Sequence, residues 1–260
     1  MLTVRIDDIG ASSKHFEQHG RTVFRTRRGT PYFYFPLANV GFFKRTPPFK
    51  RWGPYDELTA DEWTAALAVF REYDIVPIVA ITAAWVDEAG RLISFPEKFP
   101  AEAAVLKQAA ARSEIIVANH GLTHCVVGRH LPRVWSSNRY YHREFYDWLP
   151  QATHDEHVHR AQKVLETYFA RPVTHFIPPG NIWSQKTYRA LQSTNITQVI
   201  ANRYMMDSSE PMFGITFVDD RHDFFAFHDR EIKIFGMPWL ESNLICRLRT
   251  NSQENNDIRL

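Results

Sequence analysis

Two carboxylates stand side by side at Asp7-Asp8, directly after an apolar run, Leu2 to Ile6, that reads as a first strand. Adjacent carboxylates repel unless a cation or a shared proton relieves them. Aspartate also serves turns and helix N-caps, so the pair alone fits either use. His120 and His124, in Asn119-His120-Gly121-Leu122-Thr123-His124, follow a second strand-like run, Glu114 to Ala118. On a helical turn residues i and i+4 share a face, so both imidazoles could reach one metal ion. A chain with 12 histidines also produces this spacing by chance, and His15 and His19 are a second instance, read as solvated surface residues. A third candidate, Pro178-Pro179-Gly180-Asn181-Ile182-Trp183, has the signature of a Pro-Gly turn before a helix, with Asn181 and Trp183 as candidate pocket residues. His228 closes the run Phe225-Ala226-Phe227, with Asp219, Asp220 and His222 upstream.

These residues need elements to hold them. Thr59-Ala60-Asp61-Glu62 has the spacing of a capping box, and Trp63, Leu67 and Phe70 recur on one helical face behind it. Ile75 to Ile81 is a continuous apolar run, as a buried parallel strand should be. Helices over Ala101 to Ala111, Asp155 to Phe169 and Ser184 to Ser193 alternate with strands near Val173 to Ile177 and Gln198 to Ala201. Phe224 to Phe227 and Ile232 to Phe235 read as two further strands. Such alternation defines an α/β protein with a parallel sheet, either a barrel or an open doubly wound sheet. Asp7/Asp8, His120, the Pro178-Gly180 turn and His228 all fall at C-terminal strand ends, the edge where such folds build their sites. One carboxylate with two imidazoles is a common zinc set that leaves a position open for water.

Taken together, these motifs resemble the polysaccharide deacetylase (NodB-like) superfamily. The resemblance runs from Val4 to about His228 on Asp7-Asp8, His120-x-x-x-His124 and the Pro-x-Gly turn. The opening Arg-Ile-Asp-Asp-Ile-Gly-Ala-Ser-Ser-Lys is most similar to deacetylases of O-antigen (lipopolysaccharide) biosynthesis clusters. It implies a distorted (β/α)7-type barrel of parallel strands with two long insertions, about 18–55 and 125–153, in one domain spanning 1–260 with a frayed tail about 250–260. It implies that Asp8, His120 and His124 hold a divalent metal, zinc first, with cobalt, nickel or manganese accepted by the same donors. Asp7 would be the general base and His228 the general acid. The implied activity is hydrolysis of an N-acetyl group on a sugar. Two departures stand out: the arginine that usually orients the base is replaced by Phe176, and the hydroxyl residue that usually follows the first histidine is Gly121. They leave open a carbohydrate-binding barrel without turnover, while the same Asp/His set leaves open a metallohydrolase acting on another bond such as a phosphoester.

The stretch Gln18 to Tyr55 lacks any acidic residue, where average composition gives roughly four, and carries eight Lys/Arg and ten aromatics. Its rings could stack on sugars and its arginines, Arg25 and Arg28 among them, could pair with phosphate. A nucleotide- or lipid-diphosphate-linked sugar is therefore the expected substrate. With 31 Lys+Arg against 29 Asp+Glu, the near-neutral balance gives no argument for nucleic acid. No window of 18 apolar residues and no signal-peptide pattern occurs, so a soluble, cytoplasmic protein is expected. Cys125 and Cys246, far apart, suggest no disulfide framework.

Overall fold

The first strand is longer than the apolar run that announces it. The computed structural model describes residues 2–16, 23–25, 31–33, 42, 55–131, 143–221 and 224–257. In it the strand covers Thr3–Ile9 (β1), so Asp7 and Asp8 belong to the strand itself and not to a turn behind it. Six more sheet strands follow: Ile78–Ile81 (β2), Ile116–Asn119 (β3), His175–Phe176 (β4), Gln198–Ala201 (β5), Thr216–Asp219 (β6) and Phe224–His228 (β7). They form one seven-stranded sheet in the order β6-β5-β4-β3-β2-β1-β7, with every neighbouring pair parallel.

This is the expected distorted barrel, and the connections show why it must curl. β6 and β7 lie at opposite ends of the order, yet only residues 220–223 separate them. That link spans at most about 17 Å, whereas seven flat strands would be about 29 Å across. The seam is held by Arg5 of β1, whose guanidinium forms an ion pair with Asp220, immediately after β6.

The strands read as buried from their sequences, and all four residues of β2 are buried. Strand register places Ile78 beside Arg5, so the small cluster of Ile78, Ala80, Ala118, Ile177 and Ile200 fills the concave face. The larger core lies on the convex face under the helices. Ala60–Glu72 (α1) begins with the expected capping box: Glu62 N–H donates to Thr59 Oγ1 and Thr59 N–H to Glu62 Oε2, with Trp63, Leu67 and Phe70 buried. Such caps contribute about 0.5–2 kcal/mol. Pro100–Ala111 (α2), Gln151–Phe169 (α3) and Gln185–Leu191 (α4) follow.

The C-terminal region departs from the sequence reading in two ways. β6 was not anticipated, because its turn-rich approach from Met206 to Gly214 masks a short strand. Ile232 to Phe235, expected as a strand, lies in the helix Asp229–Phe235 (α5). A four-residue apolar run has no decisive period, and Asp229 and Glu231 in the first turn favour a helix start. The last helix is Met237–Asp257 (α6). Its packed first half supplies the nucleus, and extending a helix costs far less than starting one. None of the helices among the described residues is long and apolar enough to cross a membrane.

Candidate metal and catalytic site

Strict alternation along β1 would send Asp7 and Asp8 to opposite faces. Instead the pairing of β1 with β2 shifts register between Ile6 and Ile9, and Asp8 adopts φ 68°. Aspartate tolerates that left-handed conformation better than most residues. The bulge turns both carboxylates into one cavity of about 220 Å³ at the C-terminal edge, with His120, His124, Arg143, Asn181, His228 and Arg230 among the residues lining it.

Asp8, His120 and His124 offer ligand atoms that all lie within 4.8 Å of one another, and all three residues are buried. The histidines do not use a helix face. They sit on an irregular turn after β3 with Gly121 at φ 79° and His124 at φ 54°. His120 Nδ1 donates to the Ile177 carbonyl at 2.7 Å, because a carbonyl can only accept. In the neutral ring Nε2 is then a bare lone pair, yet it faces Asp8 Oδ1 at 3.4 Å. His124 Nδ1 lies 3.2 Å from Ser13 Oγ, and its Nε2 lies 3.0 Å from the same Asp8 oxygen without hydrogen-bond geometry. The His120 lone pair aimed at a carboxylate is relieved by a cation, and each Nδ1 is held from outside as metal-binding imidazoles require. The residues therefore fit a divalent ion. Burial opposes ionisation of Asp8, yet the facing His228 and His124 hold its carboxyl well below the usual range.

Asp7 is tied differently. Arg5 donates to Asp7 Oδ2 from Nε at 3.1 Å and Nη2 at 2.7 Å. Asp7 Oδ1 is buried and has no hydrogen-bond partner among the described residues. Arg5 thus performs the orienting contact that the resemblance assigns to position 176. Phe176 itself is fully buried on the convex face, edge-on to Phe145 at 5.5 Å. His228, the last residue of β7, brings Nε2 within 3.8 Å of Asp8 Oδ2 while Nδ1 lies 3.5 Å from Glu231. Enclosure disfavours its imidazolium, but Asp8 and Glu231 more than offset this and raise His228 above the usual histidine value.

The other candidates separate cleanly. Asn181 lines the cavity, at φ 58°, with its Oδ1 accepting from Asn202 N–H. Trp183 does not: it is fully buried, its indole N–H donates to the Arg203 carbonyl, and its ring stacks on Phe217. A large ring at a sheet end gains more by packing into the core than by facing a wet cavity. Arg25 ends a two-stranded ribbon, Val23–Arg25 with Pro31–Phe33, of which only the backbone is described. Arg28 and His222 lie outside the described residues. Arg5, Arg143, Glu144 and Arg230 went unnoticed in the sequence; only Arg5, two residues before Asp7 on an alternating strand, carried a local signal.

Beneath the site Lys14 reaches Glu57 at 2.9 Å and Asp229 at 2.5 Å, all three buried. Tyr55 N–H donates to the Lys14 carbonyl, so both roots of the first insertion meet beside the site. Two carboxylates facing one ammonium leave a negative charge in excess. Burial pushes Glu57 up to about 8 against the pull of Lys14, which favours its neutral form. A carboxyl raised on folding stabilises the fold below its unfolded value, near 4.5, and that contribution fades as pH rises towards 8. Glu57→Gln keeps the neutral shape and removes the titration. Urea unfolding across pH 5 to 8 should show wild type losing stability relative to Glu57→Gln, and parallel profiles would refute the assignment.

A parallel β/α barrel with a buried carboxylate and two imidazoles gathered at its C-terminal edge is an architecture that could hold a metal ion. Residues 48–199, more than half of the chain, match the family described as polysaccharide deacetylase, and the chain belongs to that family. Among solved structures it is similar to a CE4 family pseudoenzyme from Bacillus anthracis, at 10% identity and a TM-score of 0.38 over 55% of this chain and 39% of that one. It is also similar to a family 4 carbohydrate esterase from Streptomyces lividans in complex with acetate, at 14% identity and a TM-score of 0.36 over 55% and 56%. A family 4 acetyl xylan esterase from Clostridium thermocellum, bound to a cobalt ion, matches at 11% identity and a TM-score of 0.37 over 57% and 55%. The chain spans about two-fifths of the length of the first of these. No curated protein matches the sequence.

Proposed function

We propose that this chain is a metal-dependent hydrolase that removes an N-acetyl group from a sugar during the building of a surface polysaccharide such as an O-antigen. The observation that carries this reading is the convergence of Asp8, His120 and His124 on one point, beside the unpartnered oxygen of Asp7 and the imidazole of His228. Asp8, His120 and His124 would hold the ion, zinc first by its nitrogen and oxygen donors. When bound, a divalent ion supplies Lewis acidity to water and to the acyl carbonyl.

The chain's own residues do the rest. Asp7 Oδ1 takes a proton from the attacking water, while Arg5 fixes the other oxygen of that carboxylate. The water oxygen bonds to the acyl carbon and the C–N bond breaks. His228 gives its proton to the departing nitrogen, which is too basic to leave unprotonated. Glu231 supports the protonated form of His228 from the side away from Asp8. Acetate and a free amino sugar are the products.

For the substrate, Arg143 and Arg230 line the cavity, and the basic, aromatic first insertion that contains Arg25 and Arg28 is rooted beside it. Guanidinium groups recognise phosphate through paired hydrogen bonds, which favours a nucleotide- or lipid-diphosphate-linked sugar. This fits work inside the cytoplasm, where such carriers are made.

The test is metal content by elemental analysis after zinc reloading, for wild type and Asp8→Ala, followed by acetate release over N-acetyl sugars. About one ion per chain in wild type, lost in Asp8→Ala, with acetate released, is the expected result. Metal without acetate release would leave a carbohydrate-binding barrel, and phosphate release would make it a phosphoesterase. No metal in either protein would end the proposal.

A further inference from the structure

Gly121 stands where the family resemblance leads one to expect a hydroxyl residue, and the structure gives a steric reason. A Cβ at position 121 would drive into the carboxylate of Glu144 and approach Pro179 Cγ at 3.1 Å, and the backbone there is at φ 79°. Glu144 comes from the second insertion, about 20 residues further along, and is almost fully buried.

Its carboxylate occupies the centre of the turn that carries the two histidines. Leu122 N–H donates to Oε1 at 2.9 Å, and Thr123 N–H and His124 N–H donate to Oε2 at 3.1 and 2.9 Å. Successive backbone N–H groups converging on one point form an anion-binding concavity. His157, from α3, adds its Nδ1 at 2.6 Å from Oε1. Burial opposes the charge on Glu144, but His157 and the backbone donors outweigh it, so the group is a carboxylate. The neighbouring Phe145 locks this segment by packing on Phe176 and His154.

We propose that Glu144, held at the centre of the turn by three backbone N–H groups, is the positioning residue that sets the His120–His124 turn for metal binding. The turn is irregular and has no helix to define it. Three of its N–H groups are instead satisfied by one side chain from a distant segment, so the direction of the His124 ring depends on that side chain. This inference rests on the reading of Asp8, His120 and His124 as a metal site.

Cobalt(II) titration of the metal-stripped protein tests it, with the visible absorption of bound cobalt as a report of ligand geometry. Thermal melts of the stripped proteins verify folding. Wild type should bind about one ion and Asp8→Ala none. Folded Glu144→Gln should bind about 10–100-fold more weakly, the usual range for residues that orient metal ligands, and with an altered spectrum. Glu144→Asp, which keeps the charge, should recover part of both. Where Glu144→Gln fails to fold, His157→Gln carries the test and should weaken binding in the same direction. If wild type binds cobalt and a folded Glu144→Gln matches it in affinity and spectrum, the proposal fails while the metal site stands. Where Glu144→Gln does not fold, unchanged affinity and spectrum in His157→Gln, which frees one oxygen of Glu144, would overturn the proposal. A wild type that takes up no cobalt overturns the metal site and this proposal with it.

Discussion

Asp7→Asn should keep about one divalent ion per chain while releasing acetate about 10²–10⁴-fold more slowly than wild type, the usual contribution of a positioned general base. Asparagine matches the carboxylate in shape, so Arg5 can still donate to an oxygen in the Oδ2 position. The atom then presented to the cavity in place of Oδ1 is an amide nitrogen, a donor with no lone pair to take a proton. Asp8 and both histidines keep their positions, so elemental analysis and acetate release, measured on one preparation, should diverge. Loss of the ion in Asp7→Asn would show that the two aspartates have been assigned in reverse.

The reversal is a real alternative from sequence because neighbouring residues on a strand normally face apart. Nothing in Arg-Ile-Asp-Asp-Ile-Gly announces that Asp8 takes φ 68° and that the register slips beside it. Local signals were legible wherever a short-range rule governs. The Thr59 capping box, the apolar β2 strand and the gathering of Asp7, Asp8, His120 and His228 at C-terminal strand ends all follow from spacing and composition. The failures have a common cause. Trp183 went to the core, Ile232 to Phe235 became a helix, and the histidine turn is not helical, because each outcome is set by what packs against the segment. The two family departures have the same origin. Phe176 and Gly121 are intelligible only beside Phe145, Arg5 and Glu144, which approach from other parts of the chain.

Arg5 carries the second large effect, one that acts on both fold and rate. Its guanidinium spans the buried Asp7 and the half-buried Asp220, and so ties β1 across the barrel seam. Arg5→Met should destabilise the protein by about 3–5 kcal/mol, since it strands two carboxylates in a poorly solvated site. Adding Asp220→Asn to Arg5→Met should restore much of that stability, read by urea unfolding, without restoring acetate release. Arg5→Lys separates the two roles further. An ammonium keeps the positive charge but cannot reproduce the planar fork that places Nε and Nη2 on one oxygen of Asp7. The lysine variant should fold and keep its ion. Its kcat should fall about 10–100-fold, the equivalent of one charge-assisted hydrogen bond of about 1.5–3 kcal/mol, with KM little changed. A lysine variant with the kcat of wild type would show that Asp7 needs a nearby charge and no fixed direction. The arginine would then be a clasp for the seam alone.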